Sequence, residues 1–213
     1  MANADRPFGL RPVRYQNGTP WNGATKKYNI TATDGTALYI GDPVVIVGDS
    51  NDAEIVCIGG KFAPGTLSEV TRATAGDGNR ITGVVTGVCA TDQTSTIYRA
   101  ASTARVIEVC DDPNVVFQIQ DDAAGVLSTD TVGLNANLAS GTGSAVTGRS
   151  AFELDASGPG ADSSNQLFIL GLANLEEDNT ASGGNAVWEV LISLHTSRST
   201  GEGGASEAIL GVA

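Results

Sequence analysis

Apolar residues along this chain gather in short runs, most of them four to nine residues long and closed by Gly, Asp, Asn, Ser or Pro. Several alternate with polar positions at the two-residue period of a strand with one buried face. Tyr28-Asn29-Ile30-Thr31 is one such run. Ala37-Leu38-Tyr39-Ile40 leads through Gly41-Asp42 into Pro43-Val44-Val45-Ile46-Val47, and the turn cluster Asp49 to Asp52 precedes Glu54 to Ile58. Further runs are Ser68 to Arg72, Arg80 to Val88, Thr96 to Arg99, Arg105 to Val109, Val115 to Ile119, Ala151 to Leu154, Gln166 to Leu172 and Val187 to Leu194. In the last of these Trp188, Val190, Ile192 and Leu194 share a wholly apolar face and should meet the core, while Val187, Glu189, Leu191, Ser193 and His195 share the other. No window carries a capped helical pattern, so any helix is a turn or two near Thr131 to Leu138. The pattern predicts an all-β fold, a barrel or sandwich of many short strands. Ser140 to Ser144 and Ala156 to Asn165 read as long flexible loops.

Composition agrees with that class. Aromatics are 5%, so the core must lean on Val, Ile, Leu and Ala; charged residues are 17%, and 27 of 213 residues are glycine. Both depart from the globular average in the direction of strands joined by many turns.

Charge divides the chain. Residues 1–27 hold five of the 12 basic residues (Arg6, Arg11, Arg14, Lys26, Lys27) against one acid, Asp5, whereas the rest holds seven basic residues and 23 acids. Three of the seven prolines, at 7, 12 and 20, also fall in this first stretch. A basic, proline-punctuated, aromatic segment ahead of an acidic body reads as an extended arm that lies on a partner. The expected organisation is an arm at 1–27, a β-rich body at 28–196 with any subdivision near 100–103, and a flexible tail at 197–213. That tail either frays or tethers a short apolar plug, Ala208 to Ala213, for a neighbour.

The net charge of −12 argues against nucleic-acid binding by the body, because phosphate contacts need clustered Lys and Arg. The arm's arginines, spaced by apolar residues, suit a protein interface better. No apolar run approaches the roughly 20 residues of a membrane span, and no signal peptide is visible, so a soluble protein made in the cytoplasm is expected.

Candidate chemistry is sparse. A Ser-His-Asp site would need the single histidine, His195, but no Gly-x-Ser-x-Gly elbow exists and Gly148-Arg149-Ser150 does not complete one. His195 is expected at the surface or an interface. Asp111-Asp112 and Asp121-Asp122 each precede turn residues and suit Asx-turn chemistry. Asp49-Ser50-Asn51-Asp52 lacks the ordered ligands of a calcium loop. Gly76-Asp77-Gly78-Asn79-Arg80 lacks the Gly-Lys-Ser/Thr of a phosphate loop, and both read as hairpin turns. Cys57, Cys89 and Cys110 fit neither a disulfide framework nor a zinc spacing; they suit buried small apolar side chains in a reducing compartment, with one pair left open. The reading is a non-enzyme with no cofactor, metal or small-molecule substrate.

Several blocks in order carry a resemblance. They are Arg6-Pro7-Phe8-Gly9-Leu10-Arg11-Pro12-Val13-Arg14 with Asn17-Gly18 and Asn22-Gly23; Gly41-Asp42-Pro43-Val44-Val45; Arg72-Ala73-Thr74-Ala75-Gly76; Tyr98 through Arg105 to Cys110-Asp111-Asp112-Pro113; Val116 to Asp121; Gly141-Thr142-Gly143-Ser144; and Val187 to Ile192. In these the chain resembles head decoration (cement) proteins of tailed bacteriophages. The resemblance implies a non-enzymatic β protein on the outside of a virion's icosahedral shell, a homotrimer that binds the major capsid protein and stabilises the capsid. With that, the arm gains a surface. Phe8, Leu10, Val13, Tyr15 and Trp21 would be apolar anchors and Arg6, Arg11 and Arg14 would pair with carboxylates, in short strand additions interrupted by the prolines. The alternative reading is a phage or bacterial surface module that recognises host glycan or protein.

Overall fold

The computed structural model of the protein describes residues 3–125, 127–175 and 179–198. It is nearly all β. In chain order the strands are β1 (Arg11–Tyr15), β2 (Lys26–Ile30), β3 (Pro43–Ser50), β4 (Ile55–Cys57), β5 (Gly60–Phe62), β6 (Ser68–Arg72), β7 (Gly83–Val88), β8 (Arg105–Cys110), β9 (Val115–Gln120), β10 (Asn135–Ala136), β11 (Leu138–Ala139), β12 (Glu153–Leu154), β13 (Leu167–Leu172) and β14 (Val187–Ile192). The sequence-expected helix near Thr131 to Leu138 is a single 3₁₀ turn at Thr129–Thr131, capped by the Ser128 side chain.

Strands β2, β6, β3, β7 and β8 close into a barrel, filled by Tyr28, Ile30, Leu38, Val44, Val70, Val85, Ile107 and Val109. Strands β1, β9, β14, β13 and β10 form an antiparallel sheet in that order. The barrel is thus an insertion between the first two strands of the sheet. The chain passes from barrel to sheet at Asp111–Asn114, not at 100–103. Instead, Arg99 and Ser102 close the barrel's end, pairing with Leu38 and Asp34.

One apolar core joins the two parts. Phe117, Ile119, Trp188, Val190, Ile192, Leu167 and Ile169 of the sheet pack with Ala73, Ile81, Val84 and Cys110 of the barrel, and with Phe152 and Leu154. Trp188, Val190, Ile192 and Leu194 are buried as their alternation predicts. Strand β14 sits in mid-sheet, however, and its other face is covered too: Val187, Leu191, Ser193 and His195 are buried. His195 therefore is not a surface residue. After β14 the chain runs beside Ile81, with Ile81 N–H donating to the Leu194 carbonyl and Thr196 N–H to the Ile81 carbonyl. Burial, then the nearby Arg198 charge, holds the imidazole below its ordinary pKa, and Ser197 engages its Nδ1.

The acidic motifs resolve into structural roles. Asp112 Oδ1 accepts from Asn114 N–H and Asp122 Oδ1 from Ala124 N–H, as turn chemistry predicts. Asp121 goes further: fully buried, it accepts from the Trp188 indole N–H at 2.9 Å and from Ala186 N–H at 3.1 Å. The expected turn at Asp49 to Asp52 starts late, because β3 runs through Ser50. The buried Asn51 then bonds Ala53, Ala63 and Leu67 backbone. The two loops expected to be flexible are tied down. Gly141 packs against Ala151 and Gly143 against the Tyr39 ring, and Asn135 pairs with Gly160. The flexible tail expected beyond residue 198, with its apolar tip Ala208 to Ala213, lies outside the described residues.

Candidate functional site

The N-terminal segment is built into the body. The first strand, β1, pairs antiparallel with β9, Arg11 opposite Gln118 and Tyr15 opposite Val115, with a register shift between Pro12 and Arg14. The short, proline-broken pairing expected of the arm is present, but its partner is the chain's own sheet. The residues after Tyr15 fold back along the outer edge of β1: Tyr15 N–H donates to Thr19 O and Trp21 N–H to Val13 O. Before β1, the segment crosses the barrel backbone to backbone. Gly9 and Gly41 have φ of +73° and +98°, a Cβ on Gly9 would lie 2.5 Å from the Gly41 oxygen, and one on Gly41 would collide with the Phe8 oxygen. Only glycine fits both requirements. Leu10 N–H completes the crossing by donating to Gly41 O. Two blocks far apart in sequence, Arg6 to Arg14 and Gly41 to Val45, meet here.

Each expected anchor has a definite place. Leu10 is 1% exposed and belongs to the main core. Trp21 and Tyr15 are half-buried against that core; the Tyr15 hydroxyl donates to Asn22 Oδ1. Val13 is half-buried. Arg14 forms an ion pair with Glu189 at 2.6 Å. These five stabilise the protein's own fold, because β1 needs cross-strand partners and β9 and β14 supply them. On β9, Gln120 fixes the lead-in, accepting from Arg6 N–H and donating to the Ala4 and Asn185 carbonyls.

Arg6, Phe8 and Arg11 remain outward. The Arg11 guanidinium lies 4.9 Å from the Phe8 ring centroid and donates to Gln118 Oε1 at 2.5 Å. The Arg6 and Arg149 side chains are exposed and make no hydrogen bond or ion pair within the described residues. Together these residues rim two adjoining grooves. One, of about 330 Å³, is apolar at its base, with Phe8, Pro12, Trp21, Ile40 and Val85 in its lining. The other, of about 480 Å³, runs between Arg6, Arg11 and Arg149 and is edged by Thr142, Ser144 and Thr147. Phe8, Arg11 and Arg149 line both.

Arg149 escaped the sequence reading. It reaches the face because Ser144 and Arg149 close a tight turn, and because Ile40 and Arg149 form a parallel bridge. Nothing in the local pattern Gly148-Arg149-Ser150 signals that long-range placement. Three cationic groups without acidic partners among the described residues, around an apolar trough on a protein of net charge −12, form a surface suited to a carboxylate-bearing partner with an apolar side chain. No protein-family model, curated protein or solved structure matches the chain.

Proposed function

We propose that the protein is a structural component of a phage virion, bound as a trimer to the outer surface of the icosahedral shell, where it contacts the major capsid protein and stabilises it. The observation that carries the reading is the groove rimmed by Arg6, Arg11 and Arg149 over Phe8 and Trp21. Arg and aromatic residues are the types that dominate interface energetics. The partner this surface fits is an acidic protein segment with an apolar anchor, which on this reading the capsid supplies. The resemblance of the ordered sequence blocks to capsid cement proteins supports the same assignment. A modest contact repeated three times in one trimer gains by effective concentration, which suits a clamp across neighbouring shell subunits. The glycan-recognition alternative gains less: Trp188 is fully buried, and Trp21 is half-buried against the core with only part of its ring reaching a groove rimmed by arginines.

The test is binding of purified protein to shells that lack it. Arg6→Glu/Arg149→Glu reverses two exposed charges that have no partner among the described residues, so the thermal melt should hold while occupancy falls at least about tenfold, the equivalent of one lost charge-assisted contact. Wild-type occupancy by the double variant would refute the groove as the docking surface.

A further inference from the structure

The barrel carries a thiol pair that the docking face does not use. Cys57 ends β4 and Cys89 directly follows β7. The backbone beside them is joined, since Ile58 N–H donates to the Ala90 carbonyl at 2.8 Å and Cys89 N–H to the Val106 carbonyl at 2.9 Å. The two cysteines thus stand immediately before two residues that are hydrogen-bonded to each other. Their side chains turn into one small apolar cluster, with Leu67, Val106, Ile55 and Phe62. There each thiol bears on the other's ionisation, and both are unbridged. Cys110 is apart from them, buried in the core shared by barrel and sheet.

We propose that Cys57 and Cys89 are a latent disulfide, open in reducing surroundings and closed in oxidising ones, which staples the β4–β5 hairpin to the end of the barrel. A disulfide forms only where two chain segments run close together, and the Ile58–Ala90 hydrogen bond joins the two segments here. The oxidant is a small-molecule disulfide. Cys89, the more exposed of the two, loses its proton to solvent; its thiolate attacks one sulfur of the small disulfide and expels a thiolate. Cys57 then loses its proton, attacks the Cys89 sulfur of the mixed disulfide and expels the second thiolate. The cysteine pair gives up two electrons and two protons, and the small disulfide is reduced to two thiols.

Closure in the folded state is slow at neutral pH. Burial, reinforced by the Cys57 thiol and Glu108 against the opposing Lys27 charge, holds the Cys89 thiol up at about 11. Little thiolate is present near neutrality, so the rate should climb roughly tenfold per pH unit through the alkaline range. In a cytoplasm the pair stays open. On the reading proposed above, it would close after virions leave the host; the chemistry itself is independent of that reading.

The experiment refolds the full chain in oxidised glutathione and, separately, in dithiothreitol, then counts thiols under denaturing conditions and maps the peptides. Refolding removes access of the oxidant as a limit. The reduced protein should show all three thiols of the sequence, and the oxidised one a single thiol, Cys110, with the peptides holding Cys57 and Cys89 joined. Cys110→Ser should leave none after oxidation, and Cys57→Ser or Cys89→Ser should prevent closure within the chain. The oxidised protein should keep the native circular dichroism and unfold at higher denaturant. Three free thiols in the folded oxidised protein, a bridge to Cys110, or a bridge only between copies would overturn the proposal. Capsid binding is not read in this experiment, so failure here and failure of the docking reading are separate results.

Discussion

Leu10→Ala tests whether the first residues are an integral part of the fold. Leu10 is 1% exposed and packed in the main core, and its N–H closes the crossing at Gly41. Truncation removes three carbons. At about 0.8 kcal/mol per buried methylene the transfer loss is about 2.4 kcal/mol, and the cavity adds to it, giving about 3–4 kcal/mol within the usual range for buried Leu→Ala. Urea unfolding followed by far-ultraviolet circular dichroism is the assay. With a slope near 2–3 kcal/mol/M, the midpoint should fall by about 1–2 M with the slope unchanged. Arg6→Ala, four residues earlier and exposed, should move it by less than about 0.5 kcal/mol. If Leu10→Ala also shifted stability by less than about 0.5 kcal/mol, the segment would be peeling away in solution and β1 would not be a working strand of the sheet.

Other outcomes follow from buried polar groups and tight contacts. Arg99 is fully buried, and its guanidinium donates to the carbonyls of Thr31, Asp34, Thr36 and Thr103 with Asp34 Oδ1 at 3.7 Å; Arg99→Met should destabilise by about 3–5 kcal/mol, read by the same urea titration. Burial, then Asp5, Asp122 and Asp121, raises the Glu153 carboxyl to about 7 from an ordinary 4.5. The folded state therefore binds this proton more tightly than the unfolded state, and the stability it confers is full below about 4.5 and lost as pH rises to about 7. Glu153→Gln should flatten that slope and stabilise the protein at pH 8 by about 2 kcal/mol in melts taken across the pH range. Gly9→Ala should cost at least about 2 kcal/mol, since a methyl there meets Gly41 O and Ser150 Cβ at 2.5 Å on a backbone of φ +73°; unchanged thermal melting would refute the crossing.

Alternation made the central strands legible. Strand β14 begins where the pattern places it, and the four core residues of its apolar face are buried. Short runs mislead where backbone pairing is brief: Ala37 to Ile40 and Thr96 to Arg99 reduce to single bridges at Leu38, Ile40 and Arg99, because a run's length does not state how much of it finds a partner. The arm illustrates the larger gap. Charge and proline content mark residues 1–27 as unlike the rest in composition, but composition is local and β9 is about a hundred residues away, so sequence could not say whose sheet β1 joins. His195 fails for a related reason. Polar type predicts exposure, yet neighbouring chain segments supply the carbonyls and hydroxyls that make burial tolerable. Arg6, Phe8 and Arg11, which line the grooves, stand out in the sequence by residue type and charge. Arg149 does not, since its position depends on a bridge to Ile40.

The barrel's insertion between β1 and β9 also orders the events of synthesis. At about 5–20 residues per second, Arg11–Tyr15 leaves the ribosome roughly 5–20 s before Val115–Gln120 does. The whole barrel, β2 to β8, can form in that interval, while the first strand waits unpaired with Leu10 exposed. Because β1 then joins over a long sequence separation, its docking belongs to the late, slow part of folding. A strand held unpaired that long, with Leu10, Val13 and Tyr15 uncovered, is a site where chaperones would bind.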